Sequence, residues 1–397
     1  MAAWAIGGGV ALLGGLVWAE LGSRFPDVGG QYVYLSRAYP PLVGFLYGVA
    51  LLFIINGGGL AAVSMIFASY VDRSFVSLGP SGVRIVAALA LVSLTAVNAA
   101  GVRIGTWTNN MLMAAKVAGM LALVALAFSS GPSPASDFSA PSLDRVASWP
   151  GLLLTALVPV LFACGGWQCC ASLAGEIRNP ARNLARANVI GVLVVIALYL
   201  SLNVAYLWVL TPAEMAASPA LAADMARAVA GEAGARFVAL LIVISSLGFL
   251  AVVIMTGPRL YYAMAVDGLF FARAARLHPR YQTPTFALWF QAAVALALMT
   301  TNTYDQLLSY VVFADWLFFG LTAASLFIVR RRHGHAGPGV FRTPGHPWTT
   351  GAFVLVAAGV VVNSFFIYPA QSMIGSAILA VAAVAYAVAG PRPRAGV

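Results

Sequence analysis

The sequence predicts an all-α integral membrane protein of the inverted-repeat (5+5) transporter fold, and three features carry that prediction. Hydrophobic residues make up 61% of the 397 and charged residues only 9%, with a mean hydropathy of +0.90, a balance that excludes a soluble globular domain. Apolar runs of about 20 residues, the length that crosses a bilayer, recur along the whole chain. One of them, within GLLLTALVPVLFACGGWQCCASLAGEIRNPARNLAR at 151–186, is interrupted by Gly165 and Gly166. Two adjacent glycines let a helix unwind. Lipid does not tolerate the unpaired N–H and C=O groups this exposes, so the segment must line a polar cavity or be shielded by protein. In secondary transporters such broken helices hold the substrate.

In chain order the apolar runs place spans at 3–20, 42–70, 83–101, 110–129, 151–174, 187–210, 236–262, 284–301, 305–329, 349–368 and 371–389. The first runs directly into Glu20 with neither a basic leader nor a small-residue cleavage site, so it reads as a span and not as a signal peptide. The fifth is the interrupted run. The linkers are short, which makes 1–397 a single transmembrane domain. If 151–332 is a second repeat opened by its broken helix, then 1–130 is an incomplete first repeat and 348–390 adds two C-terminal helices. The first repeat's own broken helix is then expected before Met1.

Arginine placement gives sidedness, because cytoplasmic loops retain basic residues. With the loop after the interrupted run inside, Arg24, Arg37, Arg103, Arg178, Arg182, Arg186, Arg273, Arg276, Arg280, Arg330, Arg331, Arg332, Arg342, Arg392 and Arg394 share one side. The other holds Arg73, Arg84, Arg145, Arg227 and Arg236, together with Asp72, Asp137, Asp144, Glu214, Asp224 and Glu232. The reading is a multi-pass protein of the cell inner (plasma) membrane with a cytoplasmic C-terminus. The net charge of +10 follows from this topology and from contact with anionic inner-leaflet lipid, and nucleic acid is not needed to explain it.

Several stretches are recognisable: WAELGSRFPDVGGQYVYL at 18–35, PLVGFLYG at 41–48, FACGGWQ at 162–168, EIRNPARNLARA at 176–187, PRLYYAMAVDGLFF at 258–271, ADWLFFGLTAASLFIVRRR at 314–332 and FRTPGHPW at 341–348. In order and spacing they resemble the amino acid-polyamine-organocation superfamily, specifically bacterial amino acid permeases related to the light subunits of heteromeric amino acid transporters. The resemblance implies twelve spans, of which eleven are present here. The absent one is the first helix, which in that family carries a glycine-serine-glycine-like break that binds the substrate carboxylate.

Binding an amino acid zwitterion out of water requires N–H donors for its carboxylate and free carbonyls for its ammonium. Phe162, Ala163 and Cys164 precede the glycine pair, so their carbonyls are the expected ammonium acceptors. The resemblance makes Phe162 an aromatic gate over the substrate, with Cys164, Gly165 and Gly166 shaping the pocket. Trp167 and Gln168 line the inner cavity in this reading, although tryptophan in a bundle is more often packing. The plainer alternative is a glycine pair serving helix packing, which does not account for the charged NPARN segment that follows.

Lys116 is the only lysine and lies roughly 9 Å inside the fourth span at 1.5 Å per residue. It either snorkels to water or acts as a group that loses its proton when desolvated. In the resembled family a lysine at this place stands where sodium sits in related sodium-driven carriers, which implies coupling or gating. Ser245 and Ser246 are weaker candidates for the same region, since membrane serines usually bond their own backbone. Asp315, inside the ninth span, is either a second protonatable group or a packing carboxyl. Glu20, Arg259, Asp267 and Glu176 lie near cytoplasmic helix ends, as an ion-pair gate or as interface anchors.

Cys164, Cys169 and Cys170 lack metal-finger spacing, the four histidines form no HExxH pattern, and no phosphate-binding loop or hydrolase triad is present. No metal, cofactor or enzymatic step is expected. The expected activity is secondary transport of neutral amino acids, with proton symport and exchange both open. The alternatives are a polyamine or cationic amino acid exchanger, for which the break offers no acidic side chain, and a truncated, non-transporting membrane protein or sensor.

Overall fold

The computed structural model describes residues 2–131, 157–301 and 304–389, apart from 158, 162, 175, 176, 219, 335, 336 and 338. Helices follow one another in the order α1 Ala2–Arg24, α2 Gln31–Ala38, α3 Pro41–Ser74, α4 Gly79–Ala99, α5 Val102–Ser129, α6 Cys169–Ser172 and α7 Pro180–Val209. They continue with α8 Pro212–Ala217, α9 Leu221–Val266, α10 Thr285–Thr301, α11 Tyr304–His333, α12 Trp348–Ile367 and α13 Pro369–Ala389. Among the described residues nine helices are long and apolar enough to span a membrane, and α10 is a shorter apolar helix. Ten of the eleven expected spans therefore coincide with helices. The remaining one, 151–174, begins outside the described residues.

Local chemistry explains the boundaries. Pro180 occupies the first turn of α7, where its missing N–H costs nothing, and Asn179 before it takes the left-handed conformation (φ 48°) that asparagine tolerates. Short α8 opens with a capping box: the Thr211 side chain accepts from the Glu214 N–H, and the Glu214 carboxylate accepts from the Thr211 N–H. These hydrogen bonds hold the Glu214 carboxyl below its ordinary pKa. The 46 residues of α9 are two helices, because Ala230 and Gly231 leave helical geometry and Gly231 sits at φ 61°. The second piece carries the span expected at 236–262. Within α3, residues Leu51–Asn56 form a π-helical turn, an irregularity that often accompanies function.

Close approach of α1 to α7 depends on small residues, as is usual where hydrophobic driving force is absent. A side chain at Gly15 would come within 3.1 Å of Val192. Elsewhere α9 packs along α5 and α3, and α11 along α12 and α3. In this core two polar side chains cross-link helices: Asn56 Nδ2 donates to Gln291 Oε1 at 3.3 Å, and Gln291 Nε2 donates to the Val253 carbonyl at 3.4 Å. Glycine at 257 leaves room for this pair, since a Cβ there would lie 2.1 Å from Gln291 Oε1.

At the arginine-rich end Glu20 is completely buried and takes charged donors on both oxygens. Oε1 accepts from Arg24 Nε at 2.9 Å and Arg330 Nε at 3.0 Å, while Oε2 accepts from Arg330 Nη2 at 2.6 Å and the Thr343 N–H at 2.7 Å. Thr343 Oγ1 donates to the Leu16 carbonyl and the Phe341 N–H to Ser23 Oγ, so the 341–343 strip is stitched down over the end of α1. Nearby, His346 Nδ1 pairs with Thr350 Oγ1 at 2.9 Å. Burial first, and then the Arg330 charge, lower its pKa, which keeps the imidazole neutral at pH 7. The Glu20–Arg330 pair joins residues 310 apart in sequence.

Removing Glu20 leaves two guanidinium groups and a backbone N–H without their acceptor, which costs about 3–5 kcal/mol when the pair is buried. Glu20→Ala is expected to lower the thermal midpoint of the purified protein strongly, and an unchanged midpoint would count against this role. Gln291→Leu strands the Asn56 amide and is expected to cost about 1–3 kcal/mol, read as a smaller midpoint shift in the same assay.

Candidate functional site

The interrupted run is broken in the structure as well. Its first half ends at Cys164, whose N–H still donates to the Val160 carbonyl at 2.9 Å. Gly165 takes part in no backbone hydrogen bond among the described residues. Gly166 follows at φ 119°, a region only glycine enters freely, and a Cβ placed on it would meet nothing within 4 Å among the described residues. Both glycines are exposed. The Gly166 N–H turns to the Gln168 side chain, Gln168 Oε1 accepting at 3.1 Å, and the Gly166 carbonyl accepts from Cys169 N–H at 3.1 Å. The chain then resumes as the single turn α6.

Each expected pocket residue has a definite place except Phe162, which lies outside the described residues. The Ala163 carbonyl, an expected ammonium acceptor, accepts from the Tyr199 hydroxyl of α7 at 3.3 Å. Cys164 is buried at 5% exposure. Trp167, also 5% exposed, belongs to an aromatic cluster with Trp18 of α1, Phe319 of α11 and Phe353 of α12, at ring-centre distances of 6.3, 5.4 and 6.2 Å. Gly14 makes space for the cluster, since a Cβ there would fall 3.0 Å from the Trp167 ring. The break is thus open on its glycine side and clamped on its tryptophan side to three helices.

The expected coupling residues fall into two separate groups. Lys116 sits on α5, which packs against α7 and α9. Neighbouring contacts fix its register: a Cβ on Gly248 would lie 3.6 Å from Leu112, and one on Gly119 would overlap Leu241, so the antiparallel helices bring Lys116 level with the Ile244–Ser245 step. Ser246 spends its hydroxyl on the Ile242 carbonyl at 2.8 Å, the backbone pairing typical of membrane serines. Asp315 is on α11, which packs against α3, α12 and α2. It lies near enough to Tyr47 and Cys169 to interact electrostatically with both, and Cys169 immediately follows the break.

Three of the four charged residues expected at the cytoplasmic ends lie among the described residues. Glu20 pairs with Arg24 and Arg330, Arg259 donates to the Met255 carbonyl of its own helix, and Asp267 accepts from Tyr32 at 2.6 Å, while Glu176 lies outside the described residues. Arg330 delivers a bidentate fork to Glu20. Tyr199, Tyr47 and the Tyr47 partner Gln31, reached at 3.2 Å, were not singled out by sequence reasoning. Polar atoms inside apolar runs were the available signal.

The sequence matches the family model described as "Amino acid permease" over residues 1–389. Among curated relatives it is 31% identical over 335 residues to the b(0,+)-type amino acid transporter 1 of Mus musculus, covering 82% of this chain and 68% of that protein. It is 28% identical to the serine/threonine exchanger SteT of Bacillus subtilis (strain 168), covering 83% of this chain and 75% of that protein. Against the large neutral amino acids transporter small subunit 2 of Oryctolagus cuniculus it is 30% identical, with 82% and 62% covered. The family match runs from α1 through α13, across the glycine break and the buried Glu20 cluster alike, and the chain belongs to the amino acid permease family, multi-pass helical membrane transporters and not enzymes.

Proposed function

We propose that this protein carries neutral amino acids across the cytoplasmic membrane by alternating access, exchanging one for another at the break between Ala163 and Trp167. The observation that carries the reading is the open glycine side of that break, where, among the described residues, Gly165 takes part in no backbone hydrogen bond and a Cβ on Gly166 would meet nothing within 4 Å. Unpaired main-chain groups at membrane depth are what a zwitterion needs once it has left water. The carbonyls of Phe162, Ala163 and Cys164 that precede the glycine pair are assigned to its ammonium, and Phe162 to closing over it. Trp167 holds the inner half of the segment against α1, α11 and α12, so movement of the break relative to the other helices changes which side is open.

Neutral substrates are favoured because no acidic side chain lies between residues 157 and 175. The relatives named for serine/threonine exchange and for large neutral amino acids support the same class, and the former supports exchange over proton symport. Lys116 and Asp315 are assigned to coupling or gating, with Ser245 beside Lys116. Residues 1–130 and 151–332 are read as the two repeats, with 348–390 appended. The arginine-rich ends support a cytoplasmic C-terminus, since Arg332 bonds the Ala38 carbonyl and Arg24 the Gly334 carbonyl, gathering those loops at one end.

Proteoliposome counterflow with labelled amino acids tests the function directly: accumulation of serine, threonine or larger neutral substrates is expected, and accumulation of polyamines instead would reverse the substrate assignment. Gly165→Leu fills the unwound site, so substrate affinity measured by isothermal titration is expected to vanish, and normal affinity would sink the site. Lys116→Ala is expected to abolish coupled uptake while leaving binding measurable. Unimpaired uptake would reduce Lys116 to an interface anchor.

A further inference from the structure

A groove of about 450 Å³ runs between the first turns of α7 and the 339–341 strip, lined among others by Arg182, Arg186, Val189, Ile190, Val340 and Phe341. We propose that this groove is a binding site for the headgroup of an anionic phospholipid, with the lipid chain lying down the outer face of α7.

Helix length sets the depth. The 30 residues of α7 span about 45 Å at 1.5 Å per residue, against a hydrocarbon core of about 30 Å. The helix therefore projects into the headgroup layer, and the two arginines fix which end does so. Arg182, Arg186 and Ile190 repeat at every fourth residue and share one face. Arg182 and Arg186 are exposed. Further along α7, Ile190, Leu193 and Val194 are 59%, 48% and 47% exposed. A basic head followed by an apolar stripe is the profile of a phospholipid in mirror image.

Several arginines at this end are already engaged. Arg24 and Arg330 are spent on Glu20, Arg332 on the Ala38 carbonyl, and Arg37 faces Asp27. Arg182 and Arg186 have no acceptor among the described residues. A guanidinium presents a planar fork that matches phosphate oxygens two at a time, and a pair one turn apart offers two forks to one phosphodiester. The opposite wall is already in position, since the Phe341 N–H donates to Ser23 Oγ at 3.0 Å and the next strip residue but one is tied to Glu20. A lipid seated here bridges α7 to the strip that caps α1. This goes further than general attraction of a basic protein to an anionic leaflet, because it names a site, and it does not depend on which amino acid is carried.

The test uses the purified protein in neutral detergent, with thermal midpoint and native mass spectrometry as readouts. Added phosphatidylglycerol is expected to raise the midpoint and appear as a retained adduct, whereas phosphatidylcholine and soluble glycerol phosphate do neither. Arg182→Gln with Arg186→Gln is expected to weaken phosphatidylglycerol binding about 30-fold, the loss of two basic contacts at the membrane surface. A control pair outside the groove, Arg273→Gln with Arg276→Gln, keeps the wild-type response. Undiminished phosphatidylglycerol binding by the first pair overturns the proposal, and so does equal loss in the control pair, which means diffuse charge. Glycerol phosphate acting as well as the lipid also overturns it, in favour of a soluble-anion site.

Discussion

A hydrocarbon solvent offers no hydrogen bonds, and that single constraint organises this molecule. It forces the chain into helices whose main-chain groups are paired internally, and it makes each exception conspicuous. Most exceptions here are closed by neighbouring side chains: the π turn of α3 ends at Asn56, which is held by Gln291. The glycine break is different. Its irregular backbone is tied locally through Gln168 and Cys169 and flanked by the Tyr199 bond to Ala163 and the Trp167 cluster, yet among the described residues it stays open beside Gly166.

An open segment of that kind needs a rigid frame, and the frame is polar as well as apolar. Taking Glu20 out of water is expensive, and its burial is stable only because both oxygens are filled by charged donors and a backbone N–H. The geometry locks α1 to α11 and to the 341–343 strip at one end of the bundle. Farther along α1, Trp18 edges against Trp167 and Phe319. One helix thus connects the fixed end to the clamped side of the break. Rigid attachment on one flank and open space on the other is the mechanical condition for a hinge.

The apolar runs made the spans legible because each needs nothing but hydrophobic length, and the glycine pair was legible because no side chain substitutes for its backbone freedom. What sequence reasoning missed is pairing at a distance. Glu20 was grouped with Arg259, Asp267 and Glu176 by shared depth, yet its partner Arg330 lies on a helix whose position only the three-dimensional packing reveals. Gly231, where α9 turns out of helical geometry, stands in an ordinary AGEAG stretch with no proline to mark it. Asn56 and Gln291 were hidden for a related reason: each is one polar residue in a long apolar run, and periodicity says nothing about which helix the other faces.

The separation of Lys116 from Asp315 bears on how coupling works in the proposed mechanism. A direct ion pair is not what the packing offers, since α5 and α11 take different neighbours. Both regions instead reach α9. Its Leu241–Gly248 stretch packs on α5 around Lys116, and its Thr256 side chain lies against Cys169 beside the break. From Ile244 to Thr256 is twelve residues, about 18 Å of continuous helix. In that mechanism a change of charge at Lys116 that tilts or rotates α9 is felt at the break through a rigid lever, at the same cysteine that Asp315 influences electrostatically. Coupling carried by a packed helix requires that α9 have two stable seats against α5, and a small-residue contact such as Gly248 against Leu112 is the kind of interface that permits them.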